Sequence, residues 1–141
     1  MSGIKVTPSA IKTFEAMKKN RTHKFLLFEI KKEKVVIMDE KSGDKKENPD
    51  ATYDDFIKAL CVDKHAGWGV IDYEAKKSDG SILNKLVLVS WCPDDCGVRV
   101  KMLHGSTTNT IKSKLGIDKH IHASTPSDCE ESAAKQLVGL S

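Results

Sequence analysis

Four cysteines and five histidines are the groups in this 141-residue chain with the readiest chemistry. Cys92-x3-Cys96 and His120-x-His122 together offer four thiol and imidazole ligands, the number a tetrahedral zinc ion takes. Neither spacing is a strong zinc-finger pattern, so no metal ligand and no cofactor is assigned. A thiol enzyme built from Cys92 or Cys96 and a histidine has no motif around it. Gly67-Trp68-Gly69 lacks the pattern of a phosphate-binding loop. The chain is therefore not expected to be an enzyme. Without a secretory signal the cysteines read as reduced thiols, with Cys61 a small core residue at the apolar end of a helix and Cys92 and Cys96 bracketing a turn.

The charge is more informative. The net charge is only +3, yet from Gly97 to His122 five basic side chains (Arg99, Lys101, Lys112, Lys114 and Lys119) stand against Asp118 alone. His104, His120 and His122 would add to this patch when protonated. The last residues are acidic, with Asp128, Glu130 and Glu131 against Lys135. No aromatic side chains interleave with the basic ones, which argues against a nucleic-acid surface. The composition, 39% hydrophobic and 30% charged, is that of a globular chain long enough to bury a core. No apolar run reaches the ~18–20 residues of a membrane span, and the start MSGIKV has no signal-peptide core, so a cytosolic address is expected.

The elements that must carry this patch follow from local chemistry. Thr7-Pro8 predicts a helix start, with Thr7 as cap and Ile11, Phe14 and Met17 on its apolar face. Residues 24–31 and 34–41 read as a hairpin turning at Lys32-Glu33, and 41–50 as a solvated loop. Thr52-x-x-Asp55 predicts a capping box for a short helix through Phe56, Ile57 and Leu60. Strands are expected at 68–74 and 84–91, joined by a turn at 76–81; the second is apolar enough to be covered on both faces. A basic helix begins at Val98, a short strand is expected at 120–123, and Ser127 is expected to cap a last helix ending at Gly139. The order implies an α/β (α+β) domain over 1–141, a mixed five- to six-stranded sheet between helices.

Advancing about 100° per residue along the basic helix separates two sides. Val100, Leu103 and Ile111 should face the sheet. Lys101, Met102, Gly105, Thr108, Asn109 and Lys112 fall opposite, where small residues admit another backbone and a methionine supplies adaptable apolar contact. Gly105 to Thr108 are weak helix formers, so a kink is expected near them. Solvated lysines on an amphipathic helix would produce much of the same pattern.

Five segments, in this order and spacing, resemble the actin-depolymerising factor/cofilin family over essentially the whole chain. They are Ser2-Gly3, Ala51-Thr52-Tyr53-Asp54-Asp55-Phe56, Trp91-x-Pro93-Asp94, Arg99-x-Lys101-Met102, and Ile111-Lys112-x-Lys114-Leu115 after a Ser/Thr stretch. The resemblance implies the ADF-homology fold, binding to actin monomers and filaments with a preference for ADP-actin, and filament severing and depolymerisation. Sequestering monomers or binding filament sides without severing, as coactosin-like members do, is the alternative. It further implies actin contacts at Ser2, Gly3, Lys85, Arg99, Lys101, Met102 and Lys112, to which the outward side of the helix adds Gly105, Thr108 and Asn109. Inhibitory phosphorylation at Ser2 is implied too, as is phosphoinositide binding at Lys112, Lys114, Lys119 and His120. A monomer in the cytoplasm, at the actin cytoskeleton, is the corresponding expectation. The sequence departs from the family where Ile82, Leu83 and a lone Lys85 replace a basic cluster, where the last helix is acidic, at Gly105 and Thr108 (alanine and lysine are usual), and in lacking the nuclear-import insertion. Filament binding is thereby expected to be weaker than monomer binding.

Overall fold

An apolar run such as Phe25-Leu26-Leu27-Phe28 has no wet side to offer, because successive strand residues point to opposite faces. It must be covered twice. The computed structural model describes residues 4–31, 34–37, 43–44 and 52–138, and in it these four residues divide between two cores. Leu26 and Phe28 join Trp68, Val70 and Leu88 beneath helices α1 (Pro8–Asn20) and α3 (Val98–Leu115). Phe25 and Leu27 join Ile71, Val87, Val89 and Trp91 beneath α2 (Tyr53–Leu60) and α4 (Glu131–Leu137).

The described residues contain seven strands in one mixed sheet: β1 (Lys5–Val6), β2 (His23–Lys31), β3 (Lys34–Ile37), β4 (Gly43–Asp44), β5 (Gly67–Lys76), β6 (Ile82–Trp91) and β7 (His120–Ala123). The spatial order is β1-β3-β2-β5-β6-β7, with β4 also on β2. The β1–β3 and β6–β7 pairs are parallel and the others antiparallel. The β5–β6 hairpin is the longest ladder, registered from Gly67↔Trp91 to Lys76↔Ile82.

Local signals succeed where the chemistry is local. Thr7 Oγ1 accepts from the Ala10 N–H at 3.1 Å with Pro8 in the first turn. The capping box closes both ways, with Asp55 N donating to Thr52 Oγ1 at 3.2 Å and Thr52 N to Asp55 Oδ2 at 2.9 Å. Gly116, at φ 66°, ends α3 and donates to Lys112 O at 2.9 Å.

Four expectations are corrected. The sheet of the described residues has seven strands where five to six were expected, and β1 and β4 are the short strands the sequence did not mark. β4 lies in the stretch read as a loop: among the described residues β3 pairs with Phe28–Lys31 of β2, and Gly43–Asp44 pairs with His23 and Phe25 at its start. The last helix is not capped by Ser127; the Asp128 carboxylate accepts the Ser124 and Thr125 N–H groups, fixing a 3₁₀ turn over Pro126–Cys129, and α4 begins only at Glu131. Finally, α3 runs through Gly105–Thr108 as one uninterrupted 18-residue helix, since tertiary packing outweighs the weak propensity of those residues. The hairpin turn at Lys32-Glu33, the strand extension over 38–41, most of the loop to residue 50, Gly139, and Ser2-Gly3 lie outside the described residues.

Gly69 is needed for close approach. A Cβ there would stand 2.4 Å from Cε1 of the fully buried Phe56 and 3.2 Å from Leu27 Cδ2. The α2 layer therefore rests directly on the β5 backbone. Gly69→Ala should destabilise the protein by about 1–3 kcal/mol through overpacking. Urea unfolding would register this as a lower midpoint, and an unchanged midpoint would mean that α2 moves aside freely.

Candidate functional site

The basic helix is held from beneath by polar side chains in its middle and apolar ones towards its end. His104, Thr107, Thr108, Ile111 and Leu115 form its buried side. The His104 ring lies flat on the Trp68 indole, with centroids 4.5 Å apart and planes 3° from parallel, and its Nε2 sits 2.9 Å from the Gly67 carbonyl oxygen. Trp68 Nε1 donates to Thr108 Oγ1 at 2.8 Å, and that hydroxyl donates to the His104 carbonyl at 2.7 Å. Three residues thus close a loop between β5 and α3 in which the Trp68 N–H, the Thr108 hydroxyl and His104 Nε2 each have a partner.

This geometry revises the two sides of the helix. Thr108 was read as a contact residue; it is 6% exposed and its hydroxyl is committed to Trp68. Val100 and Leu103, expected against the sheet, are 42% and 38% exposed, because burial along α3 begins only at His104. The signal was present as the spacing 104, 108, 111, 115, but it is hidden from a count of apolar residues because His and Thr occupy the first two places.

The outward side otherwise matches the sequence reading. Arg99, Lys101, Met102, Gly105 and Asn109 are exposed and Lys112 is half-buried. Met102 is 72% exposed, and with Val98, Val100 and Leu103 it gives the first turns of α3 an apolar surface among cations. Lys101 Nζ lies 3.8 Å from Asp94 Oδ1, a solvent-exposed pair that contributes little and is easily exchanged for another acidic partner. Lys85 is exposed on β6, away from that surface; with Lys18 and Lys119 it lines an open groove of about 350 Å³ at the other end of α3. Lys114 is exposed in the last turn, where lysines also complement the helix dipole.

Between α3 and β7 lies an open cleft of about 450 Å³, walled by Lys101, His104 and Asn109 on one side and Ser90, His120 and His122 on the other. Ser90 Oγ is 2.8 Å from His120 Nε2 and 2.9 Å from His122 Nδ1. Burial, followed by the charge of Lys112, pushes His120 down to about 4, and burial also lowers His104 despite its bond to Gly67. The condition attached to these two histidines, that they add charge when protonated, is thereby moved to lower pH. Cys92 is buried and Cys96 partly so, and burial raises both thiols, which opposes thiolate chemistry at this turn. Among the described residues no three His, Cys, Asp or Glu side chains converge as metal ligands.

Two measurements test this support. Thr108→Val strands the buried Trp68 N–H and should cost about 1–2 kcal/mol. Thr107→Val, by contrast, removes the one buried side-chain polar atom without a partner among the described residues, Thr107 Oγ1, and should be neutral or stabilising in the same urea titration. The histidines set a pH window. Their folded pKa values lie below the unfolded value of about 6.5, so the unfolded chain binds more protons as pH falls. Stability is fully present above pH ~6.5 and declines as pH drops towards about 4. His120→Asn should flatten the pH 6.5–5 limb of the unfolding midpoint; a limb of unchanged slope would remove His120 from the account.

Comparison with known proteins agrees with this architecture. The family model described as "Cofilin/tropomyosin-type actin-binding protein" matches residues 3–138. The chain is 32% identical to actin-depolymerizing factor 2, isoform c, of Caenorhabditis elegans over 142 residues, covering 95% of this chain and 93% of that protein. It is 30% identical to actophorin of Acanthamoeba castellanii over 137 residues, covering 96% and 95%. The crystal structure of Streptomyces griseoflavus cofilin superposes with a TM-score of 0.82 at 24% identity, covering 97% and 98%, which establishes the ADF-homology fold. With the model matched over nearly its full length, the chain belongs to the cofilin/tropomyosin-type actin-binding protein family.

Proposed function

We propose that this protein binds actin through the outward side of α3 and thereby promotes filament depolymerisation. The observation that carries the reading is Met102, exposed and flanked by Arg99, Lys101 and Gly105 on a helix whose inner side is fixed by Trp68 and Thr108. Cations at the rim steer and orient an acidic partner, while the methionine fills an apolar cleft. Asn109 and Lys112 extend the contact; Lys112 lies ~16 Å from Lys101 along the axis. Ser2 and Gly3 are proposed to add a contact, and phosphorylation of Ser2 would oppose it by placing ~−1.5 to −2 of charge against an acidic surface. Severing requires no bond chemistry: preference for one filament twist shifts its population and strains the boundaries.

Filament binding is proposed to be the weaker activity. Ile82 is 62% exposed at the end of β6 where the family carries basic groups, Lys85 stands near it, and α4 opens with Glu131. A sequestering or side-binding role is the second reading, and these residues favour it. Lys112, Lys114 and Lys119 would compete for phosphoinositide headgroups at a membrane surface, without His120.

Monomer affinity, pyrene-actin depolymerisation and filament co-sedimentation together test the reading. The double change Lys101→Ala with Met102→Ala should weaken monomer binding roughly tenfold or more while preserving the unfolding midpoint. Ser2→Glu should weaken it in the same direction, and vesicles containing phosphatidylinositol bisphosphate should compete where plain vesicles do not. Undiminished monomer binding by the folded double variant would sink the proposal, and tight decoration of filaments by the parent protein would overturn the ranking of the two activities.

A further inference from the structure

On the sheet face away from α3, two thiols distant in sequence meet. Cys61, the C-cap of α2, and Cys129, the last residue of the 3₁₀ turn before α4, place their sulfurs 3.7 Å apart. Both are free thiols; Cys61 is half-buried and Cys129 fully buried. The backbone around them is already fixed. Cys61 N donates to Ile57 O at 2.8 Å, and the Cys129 carbonyl accepts the Tyr53 hydroxyl from the first turn of α2 at 2.7 Å. Neither sulfur needs a new backbone position to face the other; they are held in van der Waals contact.

We propose that Cys61 and Cys129 are a redox site that a hydroperoxide closes into an internal disulfide, stapling the C-terminal segment to α2. Cys61 is the sulfur that solvent reaches, so the oxidant enters there. Its thiolate attacks a peroxide oxygen and breaks the O–O bond, leaving a sulfenic acid on Cys61; the thiol proton and the expelled hydroxide leave as water. The Cys129 sulfur then attacks the Cys61 sulfur, the S–O bond breaks, and a second water carries away the Cys129 proton. Two thiols lose two electrons in total, and hydrogen peroxide is reduced to two waters. Sulfur–sulfur contact assists the second step and slows the first: the hydrogen bond between the thiols lowers Cys129, the resolving sulfur, and with burial raises Cys61, the initiating one. Resolution is thus favoured over initiation, and closure should accelerate as pH rises. The alternative pair, Cys92 and Cys96, lies on the turn before α3 and would close a short loop instead.

The test treats the full-length protein with excess hydrogen peroxide, blocks remaining thiols with N-ethylmaleimide, and maps non-reduced peptides by mass spectrometry. The expected result is a 61–129 cross-linked peptide, a loss of two hydrogens from the intact mass, and a melting temperature raised by about 5 °C and restored by dithiothreitol. Cys61→Ser, at the more exposed position, should abolish the cross-link and the temperature shift together, and Cys129→Ala should repeat that result independently. A 92–96 link in place of 61–129, over-oxidised but unlinked Cys61, or a thermal shift that persists in Cys61→Ser would each overturn the proposal.

Discussion

The stacking of His104 on Trp68, tied by the Trp68–Thr108 hydrogen bond, is the contact on which the placement of the basic helix α3 depends. An amphipathic helix is ordinarily held by an apolar stripe, and the strength of such a hold is roughly proportional to the area buried. α3 has too little of that stripe: below Leu103 its inner side is His, Thr, Thr, then Ile111 and Leu115. Directional bonds take over. Unlike apolar contacts, they specify rotation and register, because a helix turned by one residue would lose both the stacking and the hydrogen bond. Met102 and Lys101 are therefore presented at a defined angle although nothing covers them.

Separation of the two sheet faces has a further consequence. α1 and α3 share one core, and α2 and α4 the other, with the strands contributing alternate residues to each. The polar ties of the second face converge on the C-terminal segment: Tyr53 to the Cys129 carbonyl, Tyr73 to Glu131 at 3.0 Å, and Cys61 to Cys129. That segment is short in regular structure, with α4 spanning seven residues, so side-chain ties from α2 and β5 do much to fix it. Changes confined to this face can alter its rigidity while the Trp68–His104 contact across the sheet stays intact.

How far the sequence could be read follows from where the determining interactions lie. Thr7-Pro8 and Thr52-x-x-Asp55 succeed because donor and acceptor are three residues apart and no distant group intervenes. The central strands are legible because a run such as Leu86 to Val89 can be satisfied only by cover on both sides. β4 is illegible for the opposite reason: glycine and aspartate are poor strand formers, and Gly43–Asp44 is a strand through its pairing with His23 and Phe25 of β2, about twenty positions away. Most of the outward residues of α3 were legible from charge and size, whereas Thr108 was not, since its partner lies forty positions away on β5.

The neutral histidines also simplify the electrostatics of docking. A patch relying on imidazolium would change charge across the neutral range. Here burial and the nearby charge of Lys112 lower His120, and burial against Trp68 lowers His104, so near pH 7 neither adds to the charge of Arg99, Lys101, Lys112, Lys114 and Lys119. The attraction that such surface charges exert is screened by salt over about 8 Å at physiological ionic strength. Of these two histidines it is His104 that lies beneath the helix, stacked on Trp68 and bonded to the Gly67 carbonyl, so acid that protonates it would act on the support of α3.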